Sequence, residues 1–175
     1  LRLYPNANIL VARKSDFEKE NRQKFISKIA TNNFDAIIMS HTSFERIVIS
    51  KKTRANEIDK EVENITKHLK EMSLITGKTS WNVKELEKIK NNLIVKRELL
   101  YKEEVKDKHI DFEQLGIDCL VIDESHRYKN REIYTKMDRV AGINTSKAQI
   151  AMDAHLKAQY ISNLNKGKGV IYLTG

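Results

Sequence analysis

The apolar run Leu120-Val121-Ile122 ends abruptly in Asp123-Glu124-Ser125-His126. Two adjacent carboxylates at the end of a strand can divide the work of phosphoryl transfer to water. One holds a hydrated Mg2+, and the other orients or activates the attacking water. Taken alone, such a pair is more often a polar strand end without chemistry. Two other polar groups also fall just past apolar runs: His41 after Ala36-Ile37-Ile38-Met39-Ser40, and Thr174 after Val170-Ile171-Tyr172-Leu173. Open α/β sheets bind ligands beyond the carboxyl ends of their strands. Asp123, Glu124, His41 and Thr174 are therefore expected on one sheet edge, and that convergence gives the acid pair its weight.

The elements that must position these groups follow from periodicity. Ile9-Leu10-Val11-Ala12, Asp35 to Ser40, Ile117 to Ile122 and Val170 to Leu173 read as four short strands. They are apolar on consecutive positions, as parallel strands covered on both faces are. Between them fall helical stretches: Phe17 to Ala30 with Asp16 as its cap and Asn32-Asn33 as its stop, a short one from His41 capped by Thr42 or Ser43, and Ser146 to Leu164. The fold class is α/β, a three-layer parallel sheet.

Residues 51–108 differ in character. Ile58, Val62, Ile65, Leu69 and Met72 make a heptad seam, and Leu86, Leu93 and Leu100 recur at seven with Ile89 beside them. The expectation is an antiparallel helical hairpin with its tip near Gly77, inserted between sheet segments 1–50 and 109–175. Its charges nearly balance, with fifteen Lys or Arg against eleven Asp or Glu. It could be a coupling arm, a strand-separating wedge, a partner's docking site or an insertion that packs on itself.

Composition sets the class. The chain has 175 residues, 40% hydrophobic and 32% charged, and no apolar run approaches a membrane span. It opens without an initiator Met or a leader, which reads as an excised segment. Its single cysteine, Cys119, lies in an apolar strand and reads as a buried small residue rather than a reactive thiol; a reducing, cytoplasmic setting fits. The net charge of +8 suits a nucleic-acid partner without requiring one. Between Ser125 and Ile150 six Lys or Arg face only two acids.

The run Asp123 to Asn130 resembles the Walker B box of helicase superfamily two. It is most similar to the Swi/Snf branch, where an Asp-Glu-x-His box continues into a basic residue and a Lys-Asn pair. Ile37 to Phe44 resembles the strand and Thr-rich turn that precede this box, and Val170 to Gly175 resembles the later strand ending in Leu-Thr-Gly. The matches span roughly residues 9 to 175, omitting the inserted hairpin. Ser125 stands where Ala or Gly is commoner, a small-for-small exchange.

The resemblance implies a partial RecA-like lobe of an ATP-dependent DNA translocase or helicase. Asp123 would bind Mg2+ through water, Glu124 would be the catalytic carboxylate, and His126 would link the nucleotide to the DNA-facing motifs. Thr174 and Gly175 would sense the box. Thr42, Ser43, Arg127 and Lys129 are the candidate contacts to DNA phosphates, on duplex DNA read through its backbone. ATP and Mg2+ would be the cofactors, and a second RecA-like lobe the intramolecular partner.

Gly77-Lys78-Thr79 imitates the end of a phosphate-binding loop but lacks the Gly five residues earlier, where Met72 stands. The true loop would lie upstream of the first strand, so these 175 residues alone are expected to bind ATP poorly and not to hydrolyse it. Two other classes compete: a non-catalytic nucleic-acid-binding or interaction module with a degenerate helicase fold, and the helicase-like part of a larger mobile-element nuclease or methyltransferase.

Overall fold

The computed structural model describes residues 4–76, 81–102, 110–129 and 145–175. The chain divides into two compact units, one of Leu1–Ile49 with His109–Gly175 and one of Ser50–Lys108.

In the first unit, a turn with Pro5 at its second position is closed by Ala7 N–H on the Tyr4 carbonyl. It delivers the chain to β1 (Ile9–Val11), which pairs in parallel with β2 (Ala36–Ile38), Leu10 opposite Ile37. The helix between them starts later than its sequence suggests. Asp16 does not cap it; its carboxylate accepts the Arg13 N–H at 2.7 Å and closes a 3-10 turn over Lys14–Phe17. Short polar side chains that bond their own backbone compete with helix in this way. The helix, α1, runs Arg22–Thr31 and stops at Asn32.

A short helix α2 (His41–Phe44) follows β2. Its cap is Ser40, whose Oγ accepts the Ser43 N–H, rather than Thr42 or Ser43. Further on, β3 (Leu120–Ile122) pairs in parallel with β4 (Val170–Tyr172), and α5 (Thr145–Leu164) lies between them in sequence. Gly169 sets the entry to β4 with φ +86°, and its N-terminal neighbourhood is tight: a Cβ there would lie 2.8 Å from the Asp118 carbonyl.

The described strands therefore form two separate two-stranded parallel sheets, not one. A single core lies against one face of both. Phe17, Phe25, Ile26, Ile29, Ile47, Phe112, Leu115 and Ile161 are buried there, with Leu10, Ile37, Leu120 and Val170 packed onto them. The opposite face is bare among the described residues: Val11, Ile38, Val121 and Ile171 are each about half exposed, from 49% to 59%. Cys119 is exposed too, against the expectation of a buried thiol. Side chains alternate across a strand, so Cys119 shares the bare face with Val121.

One charge sits inside the core. Lys157 of α5 has no exposed surface; its Nζ meets Asp153 at 2.6 Å, donates to the Phe44 carbonyl at 2.9 Å and lies 4.3 Å from the centre of the Phe44 ring. The buried cation thereby fastens α5 to the end of α2.

The second unit consists of α3 (Lys51–Thr76) and α4 (Trp81–Lys102). Ile58, Ile65 and Leu93 are buried between them, flanked by Val62, Leu69, Leu86, Ile89 and Leu100, so the heptad positions do form the seam. Arg97 reaches Asp59 across it at 2.6 Å. Gly77-Lys78-Thr79 lies outside the described residues. No described helix is long and apolar enough to cross a membrane.

Candidate functional site

The acid pair sits where strand geometry puts it, just past the end of β3. The backbone turns at once: Glu124 adopts left-handed φ 48°, ψ 47°. A residue with a Cβ holds that conformation at a cost of order 1 kcal/mol, and such strain concentrates at functional positions. The Asp123 carboxylate supports the turn, its Oδ1 accepting the Glu124 N–H at 3.0 Å. The Glu124 side chain meets His126 Nδ1 at 3.0 Å, each side chain 59% exposed. A contact this open contributes little stability; what it fixes is the orientation of the two groups.

The end of β4 lies against the same turn. Leu173 N–H donates to the Ile122 carbonyl and Ser125 N–H to the Leu173 carbonyl, both at 2.9 Å. Thr174 and Gly175 are thereby held next to Asp123-Glu124-Ser125-His126, both exposed.

The residues past β2 meet those past β3, so the carboxyl ends of both strand pairs share one edge. His126 lies in the 3-10 turn Ser125–Tyr128 with Arg127 and Tyr128. Arg127 Nε donates to Glu45 Oε1 at 2.8 Å, the Tyr128 hydroxyl lies 2.9 Å from His41 Nδ1 and 3.4 Å from the same Glu45 oxygen, and the His41 and Tyr128 rings meet at a tilt, their centroids 5.4 Å apart. Burial, followed by the negative charge of Glu45, pushes the Tyr128 hydroxyl up to about 12. The hydrogen bond to Glu45 raises Arg127 further above its ordinary value.

This arrangement sorts the candidate nucleic-acid contacts. Thr42 and Lys129 are exposed. Ser43 is buried, and its hydroxyl accepts from Ser40 Oγ at 3.0 Å, so it serves the turn and not the surface. Arg127 is committed to Glu45 by one face of its guanidinium. Glu45, Tyr128 and His41 together form a cluster that spacing alone did not reveal, since its partners are more than eighty residues apart. A signal was present: Glu45 is the one acid between Ala36 and Asn56, at the end of the short helix that follows β2.

Two hollows flank the edge. A groove of about 810 Å3 beside β2 and β3 has walls that include Ile37, Phe112 and Leu120, with His41 and Asp123 on its lining. A smaller one of about 450 Å3 past the end of β1 is lined by Arg13, Lys24 and Lys28 with Asp16 and Asn21. These three cations were also missed by spacing, because they come from a loop and one helix face. The described residues hold no cluster of three or more His, Cys, Asp or Glu that could bind a metal.

A family model described as "Probable helicase domain" matches residues 1–175. The chain belongs to that family. No curated protein and no solved structure matches it. The acid pair lies on a left-handed turn past the carboxyl end of β3, the edge at which open α/β sheets bind ligands. The donor set suits Mg2+ in particular. That ion takes one or two carboxylates and leaves its other positions to water and substrate phosphates, and Asp123 is the carboxylate here that could serve. The phosphate cradle has no counterpart in the sequence of this helicase-family chain, which contains no complete Gly-x-x-x-x-Gly-Lys-Ser/Thr run.

Proposed function

We propose that this chain carries the acid-box half of the ATPase site of a nucleic-acid motor of the Swi/Snf-like branch of helicase superfamily two. Mg-ATP would supply the cleavable phosphoanhydride and the charge-neutralising cation. Asp123 holds the hydrated cation, Glu124 orients water, and His126 is positioned by Glu124. Thr174 and Gly175 would sense the box next to Leu173, whose carbonyl accepts the Ser125 N–H. The fold behind it is a RecA-like three-layer sheet, interrupted by a helical hairpin formed by α3 and α4. The observation that carries this reading is the convergence of the ends of β2, β3 and β4 on one edge around Asp123-Glu124-Ser125-His126.

Duplex DNA is the proposed partner, held through backbone phosphates by Thr42 and Lys129, with the Arg13, Lys24 and Lys28 hollow as an added surface. A motor that tracks a backbone needs such sequence-independent contacts. The second RecA-like lobe, contributed by the same polypeptide, would complete the nucleotide site.

The test is twofold. In the complete motor, Glu124→Gln should keep Mg-ATP binding and reduce hydrolysis by a hundredfold or more; hydrolysis within threefold of wild type would remove Glu124 from the chemistry. The isolated 175 residues should show no micromolar Mg-ATP binding by calorimetry, and binding there would mean that a phosphate cradle exists within the chain.

A further inference from the structure

Between α2 and the turn that carries His126 runs one continuous polar chain. The Nδ1 of His41 lies 2.9 Å from the Tyr128 hydroxyl; that hydroxyl lies 3.4 Å from Glu45 Oε1; and the same oxygen accepts the Arg127 Nε–H at 2.8 Å. With the His41 ring protonated on Nδ1, every proton in the series has an acceptor: His41 donates to Tyr128, and Tyr128 and Arg127 donate to Glu45. Glu45 is the shared acceptor. Its side chain is only 18% exposed, so its charge is shielded from water and depends on these two donors. The Phe44 ring closes the assembly by packing edge-on against Tyr128 at 6.5 Å.

The two ends of this chain have different surroundings. One end is α2, where Thr42 faces solvent. The other is the single turn Ser125–Tyr128, whose first residues are bonded to Glu124 and to β4. A four-residue turn is too short to flex independently of its own ends. A shift of α2 by an ångström must either break the Glu45 contacts or drag Arg127 and Tyr128, and with them His126.

We infer that Glu45 is a positioning residue, the pivot of a latch through which a displacement of α2 by nucleic acid is transmitted to His126 and Glu124. The inference rests on the motor reading above. It assigns to Glu45, Tyr128 and His41 no contact with nucleotide or nucleic acid. Their work is to make two strand ends move as one.

The experiment is a steady-state ATPase assay on the complete motor, with and without duplex DNA, for Glu45→Ala, Glu45→Gln and Tyr128→Phe. Glu45→Ala should lower the DNA-stimulated kcat at least fivefold while the DNA-free kcat, the KM for ATP and the Kd for DNA stay within twofold. Glu45→Gln keeps an acceptor oxygen at the pivot and should recover most of the stimulated rate. Tyr128→Phe removes one hydroxyl and retains the ring; it decides the matter if Glu45→Ala does not fold, and should cost threefold or more in stimulated kcat alone. Unchanged stimulation in the folded variants overturns the latch and leaves the motor reading intact. An equal fall of stimulated and DNA-free rates overturns it as well, since that marks a general support of the site. A wild-type motor that does not hydrolyse ATP overturns both.

Discussion

The buried cation of α5 offers a sharp test of how the first unit is held together. Lys157 has no exposed surface and its partner Asp153 is 17% exposed. Truncating Asp153 to Ala leaves a charge that no side-chain movement can return to water. Removing one partner of a buried pair costs about 3–5 kcal/mol. Replacing the cation has another balance. Lys157→Met keeps the stem packed against Phe44 and removes the charge. It gives up the bond to the Phe44 carbonyl, about 1 kcal/mol, and the cation over the Phe44 ring, roughly 0.5–2 kcal/mol. The Asp153 that remains can still reach solvent. Lys157→Met should therefore cost about 1–3 kcal/mol, less than Asp153→Ala. The double variant should be no less stable than Lys157→Met alone, because the two effects share one interaction.

Urea denaturation monitored by circular dichroism reads all three. With a slope of about 2 kcal/mol per molar, Asp153→Ala should lower the midpoint by about 1.5–2.5 M. A loss under 1 kcal/mol for Asp153→Ala, or a larger loss for Lys157→Met, would refute the argument that the core depends on this pair remaining intact.

Four further outcomes are expected. Gly169→Ala should destabilise the chain by about 1–3 kcal/mol in the same assay, since its φ of +86° and a Cβ within 2.8 Å of the Asp118 carbonyl leave no room for adjustment. Glu124→Asn should raise the melting temperature by a few degrees, because Asn tolerates the left-handed turn better than Glu by up to about 1 kcal/mol; a lower melting temperature would show that the turn is not strained. Tyr128 is neutral in the folded chain up to about 12, against 10 unfolded. Its contribution is thus fully present below pH 10 and lost as pH rises towards 12. In a tyrosine absorbance titration, Tyr128 should titrate late and Tyr172, also raised by burial, should lag as well, and Glu45→Gln should lower the Tyr128 midpoint only in part, since burial is the larger cause. Finally, in salt-dependent DNA binding by the complete motor, Lys129→Ala should reduce the slope of log K against log salt by about 1, and Arg127→Ala by less, because Arg127 already neutralises Glu45.

The heptad positions of α3 and α4 were legible because a seam of seven-residue period needs no information beyond its own segment. The placement of the acid pair past a strand was legible for the same local reason. Misreadings arose where short polar side chains had two local uses. Asp16 closes a 3-10 turn instead of capping α1, and Ser40 takes the capping role expected of Thr42 or Ser43. Ser43 thereby leaves the surface, which no spacing rule could foresee. The Glu45 cluster and the Lys157 bond to the Phe44 carbonyl join residues 82 to 113 positions apart. A lysine on a helix reads as solvated until the rings that enclose it are known.

The bare face of the sheets brings these points together. Strands apolar on every position predict cover on both sides, yet α1, α5 and the turn at Phe112–Leu115 all lie on one side. Val11, Ile38, Val121 and Ile171 each leave about half of their surface in water, forgoing roughly half of the 1.5–3 kcal/mol that full burial of such a side chain is worth. Soluble sheets retain such positions when another layer covers them. The proposed three-layer domain would supply such a cover. Solvent accessibility of Cys119 is the simplest measure of that cover: its thiol should react with a maleimide at the rate of an exposed cysteine in the isolated 175 residues. It should be protected at least tenfold in the complete motor. Equal rates in the two would mean that the bare face stays bare, and that the three-layer reading is wrong.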